Sequence, residues 1–198
     1  MLNQQLVTPL GLAEEEPIHW LSPLKDDDFA EYSDQAFLER PGIALERRPL
    51  GSFWPKGGPV WDALAKTDRR QVILVEAKAH IPELVSPRTG ATGVSLCRIR
   101  QSLAETKLFL GSRSEADWSA SFYQYTNRLA HLYLLRELNG VQAFMLFLYF
   151  INDKEMCGPS TQAEWRGAVS LLKSFPGLQR HKLSRYALDR FIDIRELQ

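Results

Sequence analysis

The sequence predicts an α/β fold, helices packed on a mixed β-sheet, from three observations. Residues 60–80 hold two strand-like runs flanking the polar turn at 67–70, as a β-hairpin requires. The run VQAFMLFLYFI at 141–151 is apolar almost throughout, which suits a strand buried on both faces. Before, between and after these lie stretches whose apolar residues recur at spacings of three and four, the mark of amphipathic helices. That order places the helices against one mixed sheet.

Taken in turn, DFAEYSDQAFLER (28–40) is the first helix candidate, with Asp28 and Glu31 at capping-box spacing and Pro41-Gly42 as its stop. Residues 43–58 read as a strand or an irregular segment. The hairpin follows, with strands at 60–66 and 71–80. SPRTGATGVSLCR (86–98) is rich in Gly, Ser and Thr and reads as a loop. Helices are predicted at 99–110 and 118–138; the second carries Trp118, Phe122, Tyr125, Leu129 and Leu132 as one apolar stripe and ends at Asn139-Gly140. The buried strand comes next, then a helix over 160–175 opened by Thr161 and Glu164. The tail after His181 suits a strand or a helix equally.

Length and composition set outer bounds. A chain of 198 residues, 44% apolar and 24% charged, is expected to form one globular domain over 1–198, with 1–27 as an acidic N-terminal extension. Its longest apolar run falls well short of the roughly 20 residues of a membrane helix. The first residues lack a basic start followed by an apolar core, so no secretory signal is expected and the chain is read as cytoplasmic. Cys97 and Cys157 form no Cys-x-x-Cys pair, which argues against a disulfide framework or zinc knuckle. The formal charge of zero hides an asymmetry. Residues 1–40 hold nine Asp or Glu against Lys25 and Arg40, so the remaining 158 residues carry a net +7. Much of that excess falls in RGAVSLLKSFPGLQRHKLSRYALDR (166–190) and at Arg88, Arg98 and Arg100. A basic body suits a polyanion, though charge runs are more often plain solvated surface.

Chemistry concentrates where the hairpin's second strand ends. Alternation puts Val72, Leu74, Glu76, Lys78 and His80 on one face. A turn centred on Arg69 opposes Leu64 to Leu74 and Asp62 to Glu76, and opposed residues have Cβ atoms about 4.5–5.5 Å apart. Two like charges that close repel unless a cation lies between them. Mg²⁺ suits such a pair, because it binds through one or two carboxylates and keeps several waters. Lys78, on the same face, can neutralise charge growing on a phosphate and orient the attacking water. The plain alternative is a Glu76–Lys78 ion pair where a strand emerges into solvent.

Asp62, then Glu76-Ala77-Lys78 fourteen residues on at the end of an apolar strand, resembles the Asp…(Asp/Glu)-x-Lys signature of the PD-(D/E)xK nuclease superfamily. Trp61 stands where many members have Pro. Glu105-Thr106-Lys107 repeats the Glu-x-Lys spacing, but in a helical stretch where the two charges diverge and are solvated. The resemblance implies a restriction-endonuclease-like three-layer sandwich, with a helix before the site and a helix and strand after it. It also implies catalytic Asp62, Glu76 and Lys78, metal ligation by Asp62 and Glu76 with help from the Ala77 carbonyl, and Mg²⁺ or Mn²⁺ as cofactor. Glu31 resembles the helical Glu that adds a metal ligand in many members; its capping-box role competes, and Glu39 is an alternative. His80 is a weaker candidate.

Nucleic-acid contacts are expected from Arg88, Arg98 and Arg100 in the loop and from Gln124 and Arg128 on the following helix. The competing readings are a mobile loop and a solvated helix face shared with Asn127 and His131. Gln124 lacks the Tyr four residues on that some related nucleases carry. The expected activity is hydrolysis of phosphodiester bonds, of DNA before RNA, in repair, recombination or defence, by a homodimer or with a protein partner that supplies specificity. One rival is a catalytically inactive nucleic-acid-binding or assembly protein on the same fold; another is a hydrolase of some other phosphate ester. Carboxylates converging within reach of one ion favour the enzyme. A direct Lys78–Glu76 contact in a closed, dry setting favours the binding protein.

Overall fold

Five strands stand in chain order across one mixed sheet: β1 (Ile18–Ser22), β2 (Ala63–Thr67), β3 (Val72–Lys78), β4 (Ala143–Ile151) and β5 (Ala187–Asp193). The first two pairings are antiparallel and the last two parallel. The structure is a computed structural model that describes Asn3 and residues 16–197. Five α-helices lie within residues 16–197: α1 (Ala36–Glu39), α2 (Leu50–Phe53), α3 (Gly93–Leu110), α4 (Tyr123–Tyr133) and α5 (Gln162–Ser174). No described helix is long and apolar enough to cross a membrane.

The hairpin register is the one the turn predicts. Leu64 pairs with Leu74 and Ala63 with Val75. The loop Asp68-Arg69-Arg70 closes with Arg70 in the left-handed region (φ 60°) and donating its N–H to Thr67 O at 2.9 Å, the geometry of a three-residue hairpin loop. Alternation along β3 sorts its side chains as expected. Val72 and Leu74 join the main core with Leu64, Met145 and Phe147, whereas Ile73 and Val75 join a second cluster with Ala65, Leu146 and Leu148. β4 lies between β3 and β5 and is buried along nearly its whole length, which is why its sequence shows no polar alternation.

Several expectations change. Residues 28–40 do not form one helix: Asp28, Phe29 and Asp34 have positive φ, so the backbone breaks three times and only the single turn α1 survives. Ile18–Ser22, assigned above to an N-terminal extension, is the edge strand β1. α3 begins at Gly93, so Arg98 lies on a helix rather than a loop. α4 begins at Tyr123 and continues into a wider π-turn, Leu134–Leu138. The tail resolves as β5. All five helices contribute side chains to the main core and none to the second cluster, which consists of strand residues and Tyr186.

α5 opens as predicted. Thr161 Oγ1 accepts from Glu164 N–H, and Glu164 Oε2 accepts from the N–H of Thr161 at 2.8 Å and of Ser160 at 3.0 Å. Thr161→Ala is expected to cost about 1 kcal/mol in urea unfolding, the usual worth of such a cap.

Candidate functional site

The site exists because the hairpin splits. Pairing of β2 with β3 stops at Ala63↔Val75, and one residue earlier the chain turns away to pair Trp61 with Tyr32, whose carbonyl accepts Trp61 N–H at 3.0 Å. Glu76, Ala77 and Lys78 thus pair only with β4, leaving their other edge open. Asp62, at the fork, closes part of that edge by accepting Ala77 N–H on Oδ2 at 2.6 Å. Along this edge runs a cleft of about 390 Å³. Asp62, Glu76 and Lys78 line it together with residues 57–60, 86–90 and the first turns of α4.

Glu76 is 3% exposed yet held by two cations. Lys78 Nζ donates to Oε1 at 2.5 Å. Arg128 donates to Oε2 through Nε at 2.6 Å, and its Nη2 lies 2.5 Å from the same oxygen as an ion pair. Arg128 is itself buried, giving Nη1 to Asn127 Oδ1 (2.9 Å) and Nη2 to Val60 O (2.8 Å), with its guanidinium 4.8 Å from the Trp61 ring centre. Every part of that cation is engaged, which is what makes burial of the Glu76–Arg128 pair tolerable.

Asp62 is the strained member of the quartet. Burial and then the nearby Glu76 charge push its carboxyl up to about 6, against the opposing pull of the Ala77 N–H, Lys78 and Arg128. The expected opposition of Asp62 to Glu76 in a strand ladder is not formed, because pairing ends at Ala63↔Val75 and Asp62 bonds the Ala77 N–H instead. On the other side of Trp61, burial lowers His131 to about 4, so its ring is neutral at pH 7 and Nδ1–H donates to Asn127 O at 2.8 Å.

The remaining predicted residues divide. Arg88, Gln124 and Arg128 line the cleft. Arg98 points instead to the Gly51 carbonyl, and Arg100 to Ser119 and Asp117 around a separate pocket, because both ride on α3. The expected solvated face of α4 is not solvated: Asn127, Arg128 and His131 are all buried. Arg128 faces Glu76 rather than a phosphate-binding surface. Glu31 is exposed on an irregular segment and does not line the cleft, and Glu39 is exposed at the end of α1. No group of three or more His, Cys, Asp or Glu converges as a metal site among the described residues, so the three-ligand set with Glu31 is not formed. His80 Nε2 lies 3.5 Å from Glu83, and His80 is not among the residues that line the cleft. Glu105 and Lys107 diverge on α3 as expected but are not simply solvated; Tyr133 donates to Glu105, and Lys107 donates to Ala116 O.

Two contributors escaped sequence reasoning. Tyr123 lines the cleft with its phenol pushed up by burial. Gly57 and Gly58 form a wall because both N–H groups donate to Asp34, at 3.0 and 2.9 Å. The spacing of Tyr123 and Asn127, one helical turn apart beside Arg128, was the available signal for the first. Nothing local marks Asp34 as the partner of residues 23 and 24 positions away.

A divalent ion fits the donor set in part. Two coupled carboxylates meet the need of Mg²⁺ for one or two such ligands plus water, and the raised Asp62 carboxyl is the group a cation would relieve. Against this, both Glu76 oxygens already serve cations. No known protein family, curated protein or solved structure matches the chain.

Proposed function

We propose that this chain is a metal-dependent phosphodiesterase of the PD-(D/E)xK type, acting on nucleic acid, with DNA the expected substrate. The observation that carries this reading is that Asp62, Glu76 and Lys78 line one cleft edge together, with Asp62 bonded to the N–H of Ala77 between the other two. The order of hairpin, helices and parallel strand from β2 to β4 supports a restriction-endonuclease-like fold, although the preceding helix is reduced to one turn.

Asp62 and Glu76 would hold Mg²⁺ or Mn²⁺, which when bound polarises a phosphoryl group and lowers the pKa of water. Lys78, its side chain 13% exposed, presents an ammonium to the same cleft and can balance charge growing on the scissile phosphate. Arg128 acts as a positioning residue: it fixes the Glu76 carboxylate from beneath while Trp61 shields the pair. Arg88 and Gln124 at the rim are placed to meet the strand's phosphates.

One observation favours a second reading, a non-catalytic nucleic-acid-binding or assembly protein. The direct Lys78–Glu76 contact, with Arg128 on the other oxygen, neutralises Glu76 without any added ion. The setting is nevertheless a cleft rather than a closed interior. Labelled single- and double-stranded DNA and RNA incubated with Mg²⁺ or Mn²⁺ separate the two. Cleavage that falls at least about 100-fold in Lys78→Met, with the far-UV spectrum unchanged, is the expected result; a loss of that size is typical for a group aimed at transition-state charge. Cleavage surviving in Lys78→Met and Asp62→Asn would refute the site, and no cleavage of any substrate would leave the binding protein.

A further inference from the structure

The late excess of positive charge is not spread over the surface. Lys182 lies over the Phe109 ring and Arg185 over Tyr186, where they serve packing. Arg166, Arg180 and Arg190 instead line one groove of about 820 Å³ between α5 and β5. Lys173, in the same groove, is paired with Asp189, which is the groove's only acidic lining residue. None of the three arginines makes a salt bridge among the described residues. Arg190 Nε, His181 Nδ1 and Asp189 Oδ1 are buried there without a hydrogen-bond partner among the described residues. Leaving a buried donor unsatisfied is costly, so the groove has hydrogen-bonding capacity in excess of what its own residues use.

We propose that this groove is a second nucleic-acid contact, binding backbone phosphates of a strand that also enters the cleft. The inference rests on the nucleic-acid reading above. Strand register places Asp189 beside Phe147 and Phe147 beside Glu76. Asp189, at the groove, therefore lies two strands from Glu76, about 10 Å through the sheet with the buried Phe147 between them. Arginine is suited to the task, since its planar fork donates two parallel hydrogen bonds to a phosphate. Arg166 also lies over Phe191, with its guanidinium carbon 6.0 Å from the ring centre.

The test uses the whole chain and a fluorescein-labelled 20-nucleotide single strand, with binding read by anisotropy in EDTA over a range of salt. Arg166 and Arg180 are both exposed, so reversing them leaves the core intact. The double variant Arg166→Glu/Arg180→Glu is expected to bind at least about tenfold more weakly at low salt. Its slope of log affinity against log salt should shrink by about 1.4, at roughly 0.7 per lost contact on a single strand. The matched reversal Arg47→Glu/Arg70→Glu, outside the groove, should change affinity less than twofold. Equal losses in the two double variants, or no loss in the first, overturn the groove, as does a wild-type chain that does not bind the strand. Cleavage of the same strand with Mn²⁺ is followed in parallel. Wild-type cleavage with an indifferent groove leaves the nuclease reading standing, and groove-dependent binding without cleavage removes that reading and keeps the groove.

Discussion

An Arg128→Met variant is expected to lose about 3–5 kcal/mol of folding stability, the usual cost of removing one member of a buried ion pair. The loss is large because Arg128 performs four tasks at once. It neutralises Glu76, bonds Asn127, satisfies the Val60 carbonyl and covers the Trp61 ring. Arg128→Lys keeps the charge but not the fork, and should recover only part of the loss. The double variant Glu76→Gln/Arg128→Met removes the orphaned carboxylate, so it should be more stable than Arg128→Met alone. Urea unfolding of the four proteins checks this. A midpoint for Arg128→Met within error of wild type would mean that Glu76 is held adequately by Lys78 alone, and that the buried network is not what orders the cleft.

Asp62→Asn should separate stability from activity. A carboxyl raised to about 6 in the folded chain, against 3.8 as the ordinary value, binds its proton more tightly folded than unfolded. Its favourable contribution is therefore complete below about pH 3.8 and is lost as pH rises through about 6; at pH 8 the ionised group opposes folding. Asparagine keeps an acceptor for Ala77 N–H without the charge. Asp62→Asn is thus expected to be more stable than wild type at pH 8 by about 1–2 kcal/mol, after discounting for partial exposure, or about 2–8 °C in Tm for a chain of this size. The two proteins should converge as the pH approaches 4. Cleavage should nevertheless fall by at least about two orders of magnitude, and Mg²⁺ should raise the Tm of wild type but not of the variant. A variant less stable than wild type at pH 8 would show that the Asp62 charge is already compensated. Equal stabilisation of both proteins by Mg²⁺ would remove Asp62 from the ion's ligands.

The contrast between what was legible and what was not follows from range. The hairpin register from Ala63 to Lys66, the alternation of β3 and the Thr161–Glu164 cap depend on residues a few positions apart and appear as expected, whereas the ladder does not reach Asp62 because Trp61 pairs with Tyr32. The helix at 28–40 failed because a local capping pattern was read where the backbone takes left-handed conformations at Asp28, Phe29 and Asp34. Those turns bring Tyr32 to Trp61 and Asp34 to Gly57 and Gly58. Arg128 was misread for the opposite reason. A cation on a polar helix face looks solvated until the helix is docked, and only docking shows that Glu76 awaits it 52 positions earlier.

From the chain alone one could tell that two acids and a lysine emerge together at the end of an apolar strand, because a pleated backbone alternates its faces whatever surrounds it. Which of those charges stay open to a ligand is a matter of assembly. Burial depth and the arrival of Arg128 are set by contacts between elements distant in sequence, so only the folded molecule turns Glu76 into a doubly paired carboxylate and leaves Asp62 as the group still short of positive charge.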